Sequence, residues 1–227
     1  MVNRLTPKGS KNVWYPPRIK ALENYLSVLL QENTYFTKSQ ISSLKKNIAY
    51  NLQYVEFLTR IMKDIQLSDV LITQNIKFFV ICSASIIEAL FYYIVISNGK
   101  GSTTNWVSYK NLGSHEFSVK EDKFKTETEL FIKVPHPIDK DMTFDQMCKK
   151  IEDRKMLGDV KDLYKQISNI RKLRNRIHIQ EIKHSTDTDW WIFNQDQFKL
   201  MKKVLYGVLT SSLFSNSSQH SFFDYLK

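Results

Sequence analysis

The chain has 227 residues, of which 42 % are apolar and 13 % aromatic, and it contains only 6 Gly and 5 Pro. This composition excludes a disordered or collagen-like chain and favours a globular protein built mainly from helices. The formal net charge of +10 favours a polyanionic partner, most often nucleic acid, although lysines that only solvate the surface produce the same excess.

Three stretches in the first hundred residues show the apolar spacing of amphipathic helices. Thr37 and Ser68 precede the second and third stretches and are predicted to begin them. The three predicted helices cover residues 17–33, 38–65 and 69–97. We therefore assign residues 1–66 to an N-terminal arm with a helical extension, and residues 67–227 to the main helical domain.

The third predicted helix contains the stretch "FFVICSASIIEALFYYIVI" at residues 78–96, which is nearly long enough to span a bilayer. Glu88 lies near the centre of this stretch, where a charge costs about 2.5–3.5 kcal/mol on insertion scales. No strongly cationic loop follows or precedes it. We therefore predict a core helix of a helical bundle and no membrane association.

The pattern changes at about residues 102–141, where polar and apolar residues alternate as in one or two short exposed strands. Helical periodicity then returns in three stretches, at residues 143–157, 159–181 and 195–214. The sequence thus predicts an all-α bundle with a small β-strand insertion and extra N-terminal helices.

Cofactor, metal and targeting signals are absent from this pattern. The two cysteines, Cys82 and Cys148, have no metal-like spacing and fit packing roles in a reducing compartment. The stretch "MVNRLTPKGSKNVWYPP" lacks the apolar segment of a secretory signal. We expect a cytoplasmic location and no metal or cofactor.

The predicted helix at 159–181 carries a polar cluster beside its apolar stripe. At roughly 100° per residue, Arg174 falls within the stripe and His178 lies one turn after it. Arg171 and Asn175 lie on the same flank. His suits proton transfer near neutral pH, and Arg suits the binding of phosphate. The cluster therefore indicates either a phosphate-handling site or arginines that only fix the packing of the helix.

The helix at 69–97 offers a partner for these cations. Glu88, Ser85 and Tyr92 share one side of that helix through their i, i+3, i+7 spacing. An arginine that faces a core is costly unless it is paired. We therefore predict that Arg174 contacts Glu88 and that His178 lies close to both.

The stretches "LRNRIHI" and "SASIIEALFYYIV" resemble the HEPN superfamily, the higher eukaryote and prokaryote nucleotide-binding domains. These are helical bundles with an Arg, four to six variable residues and then a His, commonly with an Asn after the Arg. Six residues lie between Arg171 and His178, which fits the pattern, but no Asn follows Arg171. Asn175 follows Arg174, but only three residues lie between Arg174 and His178. Either arginine is therefore a candidate for the motif position.

The resemblance implies a metal-independent endoribonuclease that binds or cleaves RNA, in toxin–antitoxin systems, stress or phage defence. It implies a catalytic set of His178, Arg174, Arg171 and Asn175, supported by Glu88, Ser85 and Tyr92. It also implies a homodimer, with an antitoxin or another protein as a further partner. The alternative is a non-catalytic HEPN-like module that binds a protein or a nucleotide.

A tryptophan pair within "DTDWW", at residues 187–191, is the remaining feature that the sequence singles out. Trp190 and Trp191 are predicted to anchor a loop onto the bundle. The other interpretation is a surface patch for a partner or for base stacking.

Overall fold

The computed structural model describes residues 15, 17–177, 182, 184–214 and 219–227. Within these residues the chain forms seven α-helices, two strands and three short 3₁₀ segments. The helices are α1 Ile19–Leu26, α2 Lys38–Asp64, α3 Asp69–Ser97, α4 Phe144–Asp153, α5 Lys161–Arg174, α6 Asp189–Ile192 and α7 Gln195–Leu209. The strands are β1 Ser102–Val119 and β2 Asp122–Lys140, and the 3₁₀ segments are Asn175–Ile177, Ser212–Phe214 and His220–Leu226.

The prediction of an all-α fold is wrong, because 59 % of the described residues are helical and 18 % are in strands. The two strands have 18 and 19 residues and form an antiparallel sheet. The turn between them, Lys120–Glu121, lacks the Asn-Gly or Asp-Gly pair that usually marks a tight hairpin, and Lys120 adopts a φ of 56°. The length of the hairpin was therefore not apparent from its turn residues.

The predicted starts of α2 and α3 are confirmed, since the helices begin directly after Thr37 and Ser68. Thr37 forms a capping box, in which its hydroxyl accepts from the backbone N–H of Gln40 and the Gln40 side chain accepts from the backbone N–H of Thr37. This reciprocal pair satisfies two donors that a helix start otherwise leaves open. Local polar chemistry therefore decides where the second helix begins.

Helix α3 is the centre of the helical unit and packs against α2, α4, α5 and α7. Its core residues include Phe79, Ile87 and Phe91, each with 0 % of its surface exposed. By length and composition α3 could also cross a membrane, but 61 % of its most apolar window is buried among the other helices. This burial is what the core-helix prediction requires.

The chain divides into two compact units, residues 1–99 with 144–227, and residues 100–143. The second unit consists of the β1–β2 hairpin. Along β2 the even-numbered positions share one face. That face carries Phe124, Leu130 and Ile132, and Phe117 of β1 lies opposite Phe124. These four side chains are 41–52 % exposed, so the hairpin presents an apolar face to water.

We expect the helical unit to fold without the hairpin. Ser102 and Lys140 are paired in the sheet, so a short Gly-Ser linker can replace residues 103–139 without stretching the chain. Because the helical unit has its own core, the free energy of unfolding should change by no more than about 1 kcal/mol. Far-UV circular dichroism and urea unfolding would check this. A shortened chain that no longer unfolds cooperatively would contradict it.

Candidate functional site

The C-terminal end of α5 holds the arginines that the sequence singled out. Four residues of this helix are buried, each at most 9 % exposed: Tyr164, Ile167, Ile170 and Leu173. The α-helix ends at Arg174 and continues as one 3₁₀ turn, whereas the sequence predicted an α-helix to about residue 181. Residues 175–177 therefore do not follow the predicted α-helical wheel, and residues 178–181 of the predicted helix lie outside the described residues.

Arg174 and Glu88 form the predicted ion pair between α5 and α3. The Arg174 Nη2 donates to Glu88 Oε2 at 3.1 Å, which confirms this part of the prediction. The side chains are 34 % and 28 % exposed, so the pair lies at the surface rather than in the core. Leu173, at 9 % exposure, takes the inward position instead. Arg174 consequently keeps N–H donors that solvent or a ligand can reach.

Arg171 pairs with Asp145 in the first turn of α4, a partner that the sequence analysis missed. Asp145 also pairs with Lys149 at 2.8 Å, one turn along α4. The signal available in the sequence was an acidic residue in the first turn of a helix, but this position favours an acid whatever its partner. Two carboxylates from two different helices therefore hold the two candidate arginines.

Three other predicted site residues make their contacts away from the Arg174–Glu88 pair: Asn175, Ser85 and Tyr92. Asn175 lies exposed in the 3₁₀ turn. The Ser85 hydroxyl donates to the carbonyl of Ile81 at 3.0 Å, within its own helix. Tyr92 is 45 % exposed, and its ring packs edge-on against Phe36 at 6.1 Å. His178, the predicted base, lies outside the described residues.

A cavity of about 110 Å³ lies next to Arg171, between α3, α4 and α5. Cys148 lines this cavity. Burial, followed by the negative charges of Glu88 and Glu152, raises the pKa of the Cys148 thiol to about 12. Burial also raises the pKa of Cys82. Both cysteines therefore remain thiols at neutral pH, and neither supplies a thiolate nucleophile.

Arg176, in the 3₁₀ turn that follows α5, contacts a carboxylate. Its Nη1 lies 3.1 Å from Asp187 Oδ1, and the Asp187 side chain is only 7 % exposed. Asp187 also accepts from the backbone N–H of His184 at 2.9 Å. This pair ties the connector after α5 to the end of the helix.

The prediction that Trp190 and Trp191 anchor a loop is wrong. Their side chains are 55 % and 63 % exposed. The neighbouring residues anchor α6 instead. Phe193 is 1 % exposed, and Asp189 accepts from the Lys77 ammonium at 2.9 and 3.0 Å. Because these two neighbours hold α6 in place, the indoles remain free to contact solvent or a partner.

Among the described residues no group of three His, Cys, Asp or Glu side chains is arranged to hold a metal ion.

No family model matches the chain, no curated protein matches its sequence, and no solved structure matches its fold. The resemblance to HEPN domains consequently rests on the motif at the end of α5 and on the helix that carries Glu88.

Proposed function

We propose that this chain binds RNA and cleaves it without a metal ion, as a HEPN-like effector. The observation that carries the proposal is the Arg174–Glu88 pair. It holds a guanidinium at the surface, 34 % exposed, four residues before His178 in the sequence. A guanidinium with open donors suits phosphate binding, and a histidine close to it in the sequence suits proton transfer.

The proposed reaction is an attack of the RNA 2′-OH on the adjacent phosphorus. His178 either takes the 2′-OH proton, with water protonating the departing 5′-oxygen, or, when protonated, gives its proton to that oxygen while water takes the 2′-OH proton. Arg174 or Arg171 stabilises the charge that develops on the phosphate oxygens, and Asn175 orients His178 or the phosphate. The P–O5′ bond breaks as the P–O2′ bond forms. The products are a 2′,3′-cyclic phosphate and a 5′-OH end.

A specific observation favours the alternative, a non-catalytic interaction module. Arg171 is already paired with Asp145, and Arg174 with Glu88. A carboxylate that neutralises a guanidinium weakens its attraction for phosphate. In this alternative the two pairs only fix how α3, α4 and α5 pack.

The decisive experiment is to incubate the pure protein with total RNA in EDTA and to map the new ends. Cyclic-phosphate and 5′-OH ends support the ribonuclease. RNA that is bound but remains intact supports a binding module, and RNA that is neither bound nor cut rejects both RNA functions.

We expect Arg174→Ala to lower RNA cleavage about 100-fold, because the transition state loses a charged donor. Stability should fall by no more than about 1 kcal/mol, because both partners of the ion pair are partly solvated. A fully buried ion pair would lose about 3–5 kcal/mol when one partner is removed, so the partial exposure of this pair makes the expected loss smaller. Cleavage assays and urea unfolding check the two effects separately. Arg154→Ala is the matched control, since Arg154 is exposed on the loop after α4. Equal cleavage by the two variants would remove Arg174 from the mechanism.

We further propose that the protein is cytoplasmic and acts as a homodimer in stress or phage defence, with an antitoxin or another protein as a further partner. The dimer would form through the face that bears Arg171 and His178. Sedimentation at tens of micromolar, a range that detects weak dimers, should then show a dimer. A wild-type protein that sediments only as a monomer would contradict this prediction.

A further inference from the structure

Helix α6 presents two tryptophans to solvent, with 55 % of Trp190 and 63 % of Trp191 exposed. Exposed indoles are costly, at about 25 cal/mol per Å² of apolar surface in water. Tryptophan is also enriched where proteins bind partners, because its ring is large, rigid and polar at one edge. Trp191 borders two grooves, and Trp190 borders only the second of them. The charged residues that line the two grooves differ in sign.

The first groove has a volume of about 350 Å³ and lies between α5, α6 and α7. We call it the cationic groove. Its charged lining residues are Lys172 and Arg176, its amides are those of Asn169 and Gln197, and Trp191 forms one side. No carboxylate lines it among the described residues. Lys172 is exposed, and the Arg176 side chain is 38 % exposed despite its pair with Asp187.

The second groove has a volume of about 490 Å³ and lies on the other side of α6. Both Trp190 and Trp191 line it. Its charged lining residues are Asp69 and Asp196, and no cation lines it among the described residues. A polyanion is therefore attracted to the cationic groove and repelled from this one.

We propose that the cationic groove binds single-stranded RNA, with a base stacked on the Trp191 indole and the backbone phosphates held by Lys172 and Arg176. The inference rests on the proposed RNA function and adds a binding site to it. An aromatic ring beside a row of cations is how proteins hold single strands without reading their sequence. Asn169 and Gln197 supply donors and acceptors for a base edge.

The choice of RNA over an acidic peptide follows from the indole and the amides. An acidic peptide can be bound by cations alone. Single-stranded RNA alternates bases with phosphates, so it can use both the exposed ring, for stacking, and the cations, for its phosphates.

The test uses a 12-nucleotide, mixed-sequence 2′-O-methyl RNA, which lacks the attacking hydroxyl and cannot be cut. Its binding to the full chain is followed by fluorescence anisotropy in EDTA. Trp191→Ala should raise the Kd at least tenfold, because stacking is lost. The control Trp190→Ala, which changes only the acidic side, should raise it less than threefold. Lys172→Ala should reduce the slope of log K against log salt by about one, because one phosphate contact is lost.

The outcomes separate this inference from the proposed function. If the wild type binds and Trp191→Ala and Trp190→Ala bind equally well, the groove is not the site, and RNA binding elsewhere still stands. If the wild type binds a 12-residue poly-Glu peptide but no RNA, both are overturned. Should Trp191→Ala fail to fold by circular dichroism, Trp191→Phe must still bind the RNA more weakly than the wild type, and equal binding overturns the proposal.

Discussion

We expect His178→Ala to reduce RNA cleavage by about 10²–10⁴-fold, the range that a positioned proton-transfer group contributes. The loss should appear in the cleavage rate and not in the affinity for uncleavable RNA, because the imidazole moves a proton and does not hold the strand. Single-turnover cleavage together with anisotropy measures the two quantities separately.

His184→Ala is the matched control for this variant. His184 lies in the connector before α6, is exposed, and contacts Asp187 through its backbone: its N–H donates to the Asp187 carboxylate and its carbonyl accepts from the Asp187 N–H. Its replacement should leave cleavage within about twofold, as expected for a surface side chain away from the chemistry. An active wild type whose His178→Ala variant cuts equally well would eliminate His178 as the catalytic group and leave the interaction module as the better explanation.

The largest effect on stability is expected from Asp189→Ala. The Lys77 side chain is only 9 % exposed, and its ammonium donates to both carboxylate oxygens of Asp189, at 3.0 and 2.9 Å. Gln74 donates to the same carboxylate at 2.9 Å. Removing the carboxylate leaves a buried ammonium without its counter-charge, so stability should fall by about 3 kcal/mol. Urea unfolding followed by circular dichroism measures this loss.

The double variant Lys77→Met with Asp189→Ala tests the cause. A methionine fills a similar volume without a charge, so the pair should recover most of the lost stability, as replacements of buried ion pairs often do. Two results would contradict this account: a single Asp189→Ala variant within about 0.5 kcal/mol of wild type, the scatter of neutral surface changes, or a double variant as unstable as the single one.

Local patterns were sufficient for the long helices. The apolar spacing and the positions of Thr37 and Ser68 placed the starts of α2 and α3. At α2 the residues that satisfy the helix start, Thr37 and Gln40, are also sequence neighbours. The Arg174–Glu88 contact was also predictable, since Glu88 is the only charged residue in the apolar stretch 78–96 and Arg174 lies beside the apolar stripe of α5 that packs on α3.

Contacts between distant segments were not predictable in the same way. Asp145 pairs with Arg171 because α4 packs beside α5, and no spacing within either helix encodes that arrangement. The tryptophans offer another example. Large aromatic residues are usually buried, but Lys77 on α3 holds Asp189 and thereby turns α6 so that Phe193 is buried and Trp191 is exposed.

The amino-acid sequence by itself determined the helical character of the chain, the starts of α2 and α3, and the set of arginines near His178, because each of these depends on residues within a few positions of one another. Only the tertiary structure decided the long hairpin, the partial exposure of the Arg174–Glu88 pair and the separation of a cationic from an acidic groove on either side of α6. These features depend on which segments pack together, and the free energy of that packing is shared among residues far apart in the chain.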